Sequence, residues 1–146
     1  METEMRICVA VDGSKPSLDA VNLLIDHADW YREKPTVELV TVHLPVPKLP
    51  GMGAAVGKGQ LAKYYEEEGQ QKLAAAKKKL DAAGVRYEAR VLIGQVAESI
   101  VKHAQSTRCD LIYIGTRGMS ALGKALVGST ATKVMHISDL PVLLVK

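Results

Sequence analysis

The sequence predicts an α/β fold, a single doubly wound domain with a five-stranded parallel sheet and helices on both faces. Three observations predict it. Short, almost wholly apolar runs of strand length recur along the chain, as expected of strands buried on both sides. Stretches with helical periodicity alternate with them, which implies a parallel sheet joined by right-handed crossovers. The 146 residues suit one domain spanning 1–146, and no repeat or composition shift marks a boundary.

Arg6-Ile7-Cys8-Val9-Ala10-Val11 is the first strand, broken at Asp12-Gly13-Ser14. A helix starts between Ser14 and Ser17, with Pro16 tolerated in a first turn whose amides have no helical acceptor. Leu18, Val21, Leu24, Ile25 and Ala28 give that helix one buried stripe. Thr36 to Leu44 is the second strand, set between Pro35 and Pro45. Pro45 to Gly59, rich in Pro and Gly, reads as a long loop, and such loops in compact domains are disproportionately functional. Gln60 to Ala83 is helical and stops at Gly84. Val85 to Ile93 is the third strand, followed by a helix from Val96 to Gln105 with Val96, Ile100 and Ala104 on one face. Asp110 to Ile114 forms the fourth strand and ends at Gly115. A loop covers Thr116 to Val127, a last helix opens at Gly128-Ser129-Thr130 and ends near Ser138-Asp139, and Pro141 to Lys146 closes the chain as a fifth strand. The layout is Rossmann-like.

Composition excludes several function classes. Nineteen basic and 16 acidic residues leave a net charge of +3, too small and too scattered for a nucleic-acid partner. The densest basic run, Lys77-Lys78-Lys79, shares its helix with Glu66-Glu67-Glu68 and reads as a solvated face. Phe is absent and Trp30 is the only Trp, so no aromatic platform for stacked bases is expected. Neither a signal-peptide pattern nor a membrane-length apolar run is found, and the expectation is a cytoplasmic protein with no membrane partner. Cys8 and Cys109 lie in or beside strand runs and read as small core residues of a reducing compartment. His27, His43, His103 and His136 are scattered without metal-ligand spacing, and His43 reads as a packing residue.

In doubly wound sheets, ligands bind outside the carboxyl ends of the strands, where the winding reverses. That focuses attention on Asp12-Gly13, Leu44, Gly94 and Gly115 to Gly118. The strongest feature is Gly115-Thr116-Arg117-Gly118, then nine residues, then Gly128-Ser129-Thr130. Gly115 and Gly118 let the backbone turn sharply and come close to a ligand. Gly128, Ser129 and Thr130 stand where a helix opens, so free amides, hydroxyls and the positive end of the helix dipole converge on one point. This suits an anion or a phosphate; a plain turn and helix cap is the alternative. Asp12 reads equally as a turn former, and Arg117 and Lys124 read as phosphate partners or as solvated loop cations.

The pattern Gly-x2-Gly-x9-Gly-Ser, ahead of a helix and a closing Pro-Val-Leu-Leu-Val strand, resembles the nucleotide loop of universal stress proteins. The likeness extends to Val11-Asp12-Gly13-Ser14, Val42-His43-Leu44, Val91-Leu92-Ile93-Gly94 and Cys109 to Gly115. It implies membership of the ATP-binding branch, with ATP, AMP or ADP as ligand and Mg or Mn carried by the phosphates. By that resemblance Asp12 lies by the ribose or a metal-bridged phosphate, and Leu44 holds adenine through its backbone. Gly115 and Gly118 line the nucleotide, with Arg117 between them a binding candidate for phosphate charge, while Gly128, Ser129 and Thr130 take the phosphates. A homodimer through Val142 to Val145 is also implied. Three look-alikes fail. Gly51 to Gly59 has Met52 and Gly59 where a Walker A loop needs Gly and Ser or Thr. Ile93-Gly94 stands where a receiver domain needs a phospho-accepting Asp, and Asp12-Gly13-Ser14-Lys15 is no dinucleotide fingerprint. A nucleotide-responsive regulator in stress response is the leading expectation. A slow ATPase or phosphotransferase lacks a visible base, and an interaction module without nucleotide is the third reading.

Overall fold

The computed structural model describes residues 4–47, 57–116 and 127–146. Among these residues five strands and four helices alternate: β1 (Arg6–Ala10), α1 (Lys15–His27), β2 (Thr36–His43), α2 (Lys58–Ala83), β3 (Tyr87–Ile93), α3 (Val96–Ser106), β4 (Leu111–Gly115), α4 (Ser129–Ile137) and β5 (Val142–Val145). A single 3-10 turn, Ala28–Trp30, extends α1. All strand pairs are parallel and the sheet order is β3-β2-β1-β4-β5. The expected doubly wound α/β domain is therefore what forms.

The apolar runs become strands because both faces of the sheet are covered, so alternate residues enter two separate cores. Ile7, Val9, Val37 and Leu39 point to one side and pack with Leu24 of α1 and with Leu73 and Leu80 of α2. Cys8, Val40 and Ile112 point to the other and meet Ile100 of α3 and Val134 of α4. Each fully buried aliphatic side chain contributes about 1.5–3 kcal/mol from area removed from water.

Most buried polar groups are paired, Thr41 Oγ1 being the exception among the described residues. Glu38, on β2, is nearly inaccessible and accepts from Arg6 Nη1 at 3.0 Å and from His103 Nε2 at 3.1 Å. Tyr113, in the middle of β4, shares its hydroxyl with His27 Nδ1 at 3.0 Å and Tyr31 Oη at 2.6 Å. Burial, helped by that Tyr31 contact, pushes the Tyr113 hydroxyl far above the usual phenol range. Cys8 and Cys109 are free and buried, and their mutual influence, with burial, raises the Cys8 thiol, while that of Cys109 is lowered by Cys8 and by the Thr107 hydroxyl at 3.4 Å.

Element ends depart from the sequence reading for local reasons. The third strand starts at Tyr87 and not at Val85, because the Val85 amide donates to Leu80 O and closes the end of α2. α2 opens at Lys58, inside the expected loop, with Leu61 N donating to Gly57 O at 3.1 Å. β2 ends at His43, which leaves Leu44 just beyond the strand.

Candidate functional site

The winding reverses between β1 and β4, and a crevice of about 210 Å³ opens there at the carboxyl edge of the sheet. Val11 and Asp12 enter it from the end of β1, and Gly115 and Thr116 from the end of β4. Gly128, Ser129 and Thr130 enter from the start of α4, while Val42, Val96 and Ile100 supply an apolar wall. Of the residues singled out from sequence, Asp12, Gly115, Gly128, Ser129 and Thr130 are thus brought together. Leu44 is half exposed and is not part of the lining, although Val42, two residues earlier on β2, is. Arg117, Gly118 and Lys124 lie outside the described residues.

α4 begins without a side-chain cap. Gly128 holds the cap position with extended backbone, and among the described residues no side chain bonds the first amides of the helix. The first helical bond runs from Thr132 N to Gly128 O at 3.0 Å, so the amides of Ser129, Thr130 and Ala131 precede the ladder. Ser129, Thr130 and Ala131 all line the crevice. The Gly128 amide is different, because it donates to the Thr116 carbonyl and ties α4 to the end of β4. Gly128 thus ties the two elements together, and the donors open to a ligand belong to the residues after it.

Asp12 already has a structural task. Its Oδ1 accepts from Ser14 N at 2.9 Å and from the Ser14 hydroxyl, closing a turn of the kind Asp forms with its own backbone two residues on. Ser14 Oγ then accepts from Ser17 N at 3.3 Å and caps α1. The Ser17 hydroxyl accepts from Asp12 N at 3.2 Å and donates to Ser14 O at 2.9 Å. The turn-former reading of Asp12 is therefore correct, and the residue lines the crevice as well.

Sequence reasoning missed Ser17 as a lining residue, and treated Val96 and Ile100 only as a helix stripe. The spacing Asp12-x-Ser14-x-x-Ser17 was the available signal for the first. Nothing local signalled the second, because α3 is brought to the crevice by tertiary packing. Among the described residues no group of three or more His, Cys, Asp or Glu side chains could hold a metal ion.

The chain matches the model of the universal stress protein family over residues 5–146. It is 34% identical over 141 residues to Universal stress protein MJ0531 of Methanocaldococcus jannaschii, covering 97% of this chain and 81% of that one. The solved structure of hypothetical protein MJ0577, from the same organism, superposes with a TM-score of 0.79 at 26% identity, covering 99% of this chain and 97% of that one. A universal stress protein solved in complex with cAMP superposes at 0.67 with 24% identity, covering 99% and 98% of the two chains, and shares the fold. The chain therefore belongs to the universal stress protein family.

Proposed function

We propose that the crevice binds an adenine nucleotide, ATP or its relatives AMP and ADP, and that the protein is a nucleotide-responsive regulator in stress response. One observation carries this reading. An uncapped helix N-terminus with adjacent hydroxyls faces a crevice with one apolar wall, at the point where the sheet reverses. Amides and dipole suit phosphate oxygens, and Val42, Val96 and Ile100 suit an apolar ring or sugar face. Proteins of the same fold are solved with cAMP, with dAMP and with AMP, which supports the ligand class. At about 210 Å³ the crevice is smaller than the ~300–1,000 Å³ of sites that enclose a drug-sized ligand, which fits a nucleotide held partly at the surface.

In this reading Ser129 and Thr130 take the phosphates, and Gly115 and Asp12 flank the ribose. Gly118 and Arg117 complete the nucleotide loop, and the Leu44 backbone meets the base at the rim. Mg or Mn would bind through the phosphates with Asp12 as its protein carboxylate. No helix among the described residues is long and apolar enough to cross a membrane, and cytoplasmic residence belongs to the same reading. Turnover is not part of it, since phosphoryl transfer needs a positioned base and, among the described residues, Asp12 is the one carboxylate lining the crevice.

The test is a melting curve with and without ATP and Mg, together with mass spectrometry of any nucleotide released from the purified protein. ATP at about 100 times its Kd adds roughly 2.7 kcal/mol of stability. Co-purified nucleotide, or an upward shift lost in Gly118→Ala, supports the reading. No saturable binding at millimolar nucleotide overturns it and leaves the interaction module in its place.

A further inference from the structure

A polyphosphate needs positive charge; among the described residues none of the side chains lining the crevice is a cation, and Asp12 adds a negative one. One described candidate comes from the opposite layer. Lys72 of α2 stands on the flank of the buried stripe Tyr65, Gly69, Leu73, Ala76 and Leu80, and is half-buried. Its stem lies on the turn after β1. A β-carbon built on Gly13 would stand 3.5 Å from Lys72 Cγ and 3.7 Å from its Cα and Cβ. Gly13 has φ +83, which glycine adopts without strain, and the lysine stem lies within ordinary contact distance of this turn. The residue so covered is the neighbour of Asp12.

Direction follows from topology. β2 and β3 are parallel, so α2 between them runs from the carboxyl edge of the sheet back to the amino edge. Helical side chains tilt toward the helix N-terminus, and Lys72 therefore leans up to the edge where the crevice opens. Lys63 pairs with Glu67 one turn along the same helix, whereas among the described residues Lys72 forms no such pair with Glu68. A flexible four-carbon stem anchored on Gly13 leaves the ammonium movable above it.

From this geometry we infer that Lys72 is a phosphate-facing cation of the crevice, meeting the outer phosphates of a nucleoside triphosphate and setting a preference for triphosphate over monophosphate. The inference rests on the nucleotide reading above. Titration calorimetry on the full chain, with ATP and with AMP as separate probes, tests it in wild type, Lys72→Met, Lys72→Gln and Lys72→Arg. Loss of a charge-assisted contact weakens ATP about tenfold or more in the Met and Gln variants. AMP stays within about twofold in both, and Lys72→Arg retains most of the ATP affinity. Unliganded melting temperatures close to wild type show that packing is intact. Unchanged ATP affinity in Lys72→Met and Lys72→Gln, or ATP and AMP weakened by the same factor, overturns the role of Lys72 alone. Wild type binding neither nucleotide overturns the nucleotide reading and this role with it.

Discussion

Asp12 shows how one side chain serves both fold and site, and how the two can be separated. Its Oδ1 holds the turn that presents the Ser14 cap to α1, while the carboxylate carries charge into the crevice. Asn keeps the accepting oxygen and discards the charge; Ala discards both. Asp12→Ala should lose about 1–2 kcal/mol of unfolding free energy, from hydrogen bonds broken at a partly buried turn. Asp12→Asn should stay within about 0.5 kcal/mol of wild type in the same denaturant titration. If Asp12 serves a metal-bridged phosphate, both variants lose the part of ATP affinity that depends on added Mg. An Asn variant that keeps the full Mg effect would leave Asp12 with its structural task only.

At the scale of elements, helix and sheet approach closely at Gly69, where α2 lies on Val91 of β3. A β-carbon on Gly69 would overlap the Val91 side chain, standing 2.9 Å from its Cβ. Alanine is favoured over glycine in a helix by about 1 kcal/mol, but forcing a methyl into packed space costs about 1–3 kcal/mol. Gly69→Ala should therefore lower the melting temperature, and Val91→Ala in the same chain should restore part of the loss; a rise for Gly69→Ala alone would show that α2 shifts freely. Nothing in the sequence flagged Gly69, because it sits inside an ordinary helical pattern and its partner is 22 residues away. The same division explains what was legible. The central strands were readable because burial on both faces leaves them almost wholly apolar, and Asp12, Gly115 and Gly128 to Thr130 were readable because they follow strand ends or open a helix. The start of β3, the commitment of the Gly128 amide to Thr116 and the wall from α3 depend on contacts between distant segments, which no window of sequence contains.

For the whole molecule the open question of assembly falls on β5, the edge of the sheet, and on the proposal of a homodimer through it. Hydrogen bonds to β4 use alternate residues of this strand: Pro141 O accepts from Ile112 N at 3.0 Å and Val145 O from Thr116 N at 2.9 Å. In a parallel ladder that alternation turns the amide and carbonyl of Val142 and Leu144 outward, away from β4. An unprotected apolar edge invites pairing, and a second copy meeting it antiparallel would give an isologous interface. α4, which packs on β5, also leaves Met135 and Ile137 exposed. Charging Val142 or Leu144 is a poor test, since both side chains pack into the core under α3 and α4. Removing an outward donor is more direct. Leu144→Pro deletes the amide that faces the edge and leaves the β4–β5 bonds in place, a position where a strand tolerates proline. Light scattering should report a dimer for wild type and a monomer for Leu144→Pro, with a cooperative melt confirming that the variant is folded. A folded Leu144→Pro that remains dimeric would place the interface away from β5, with the exposed face of α4 the next surface to alter.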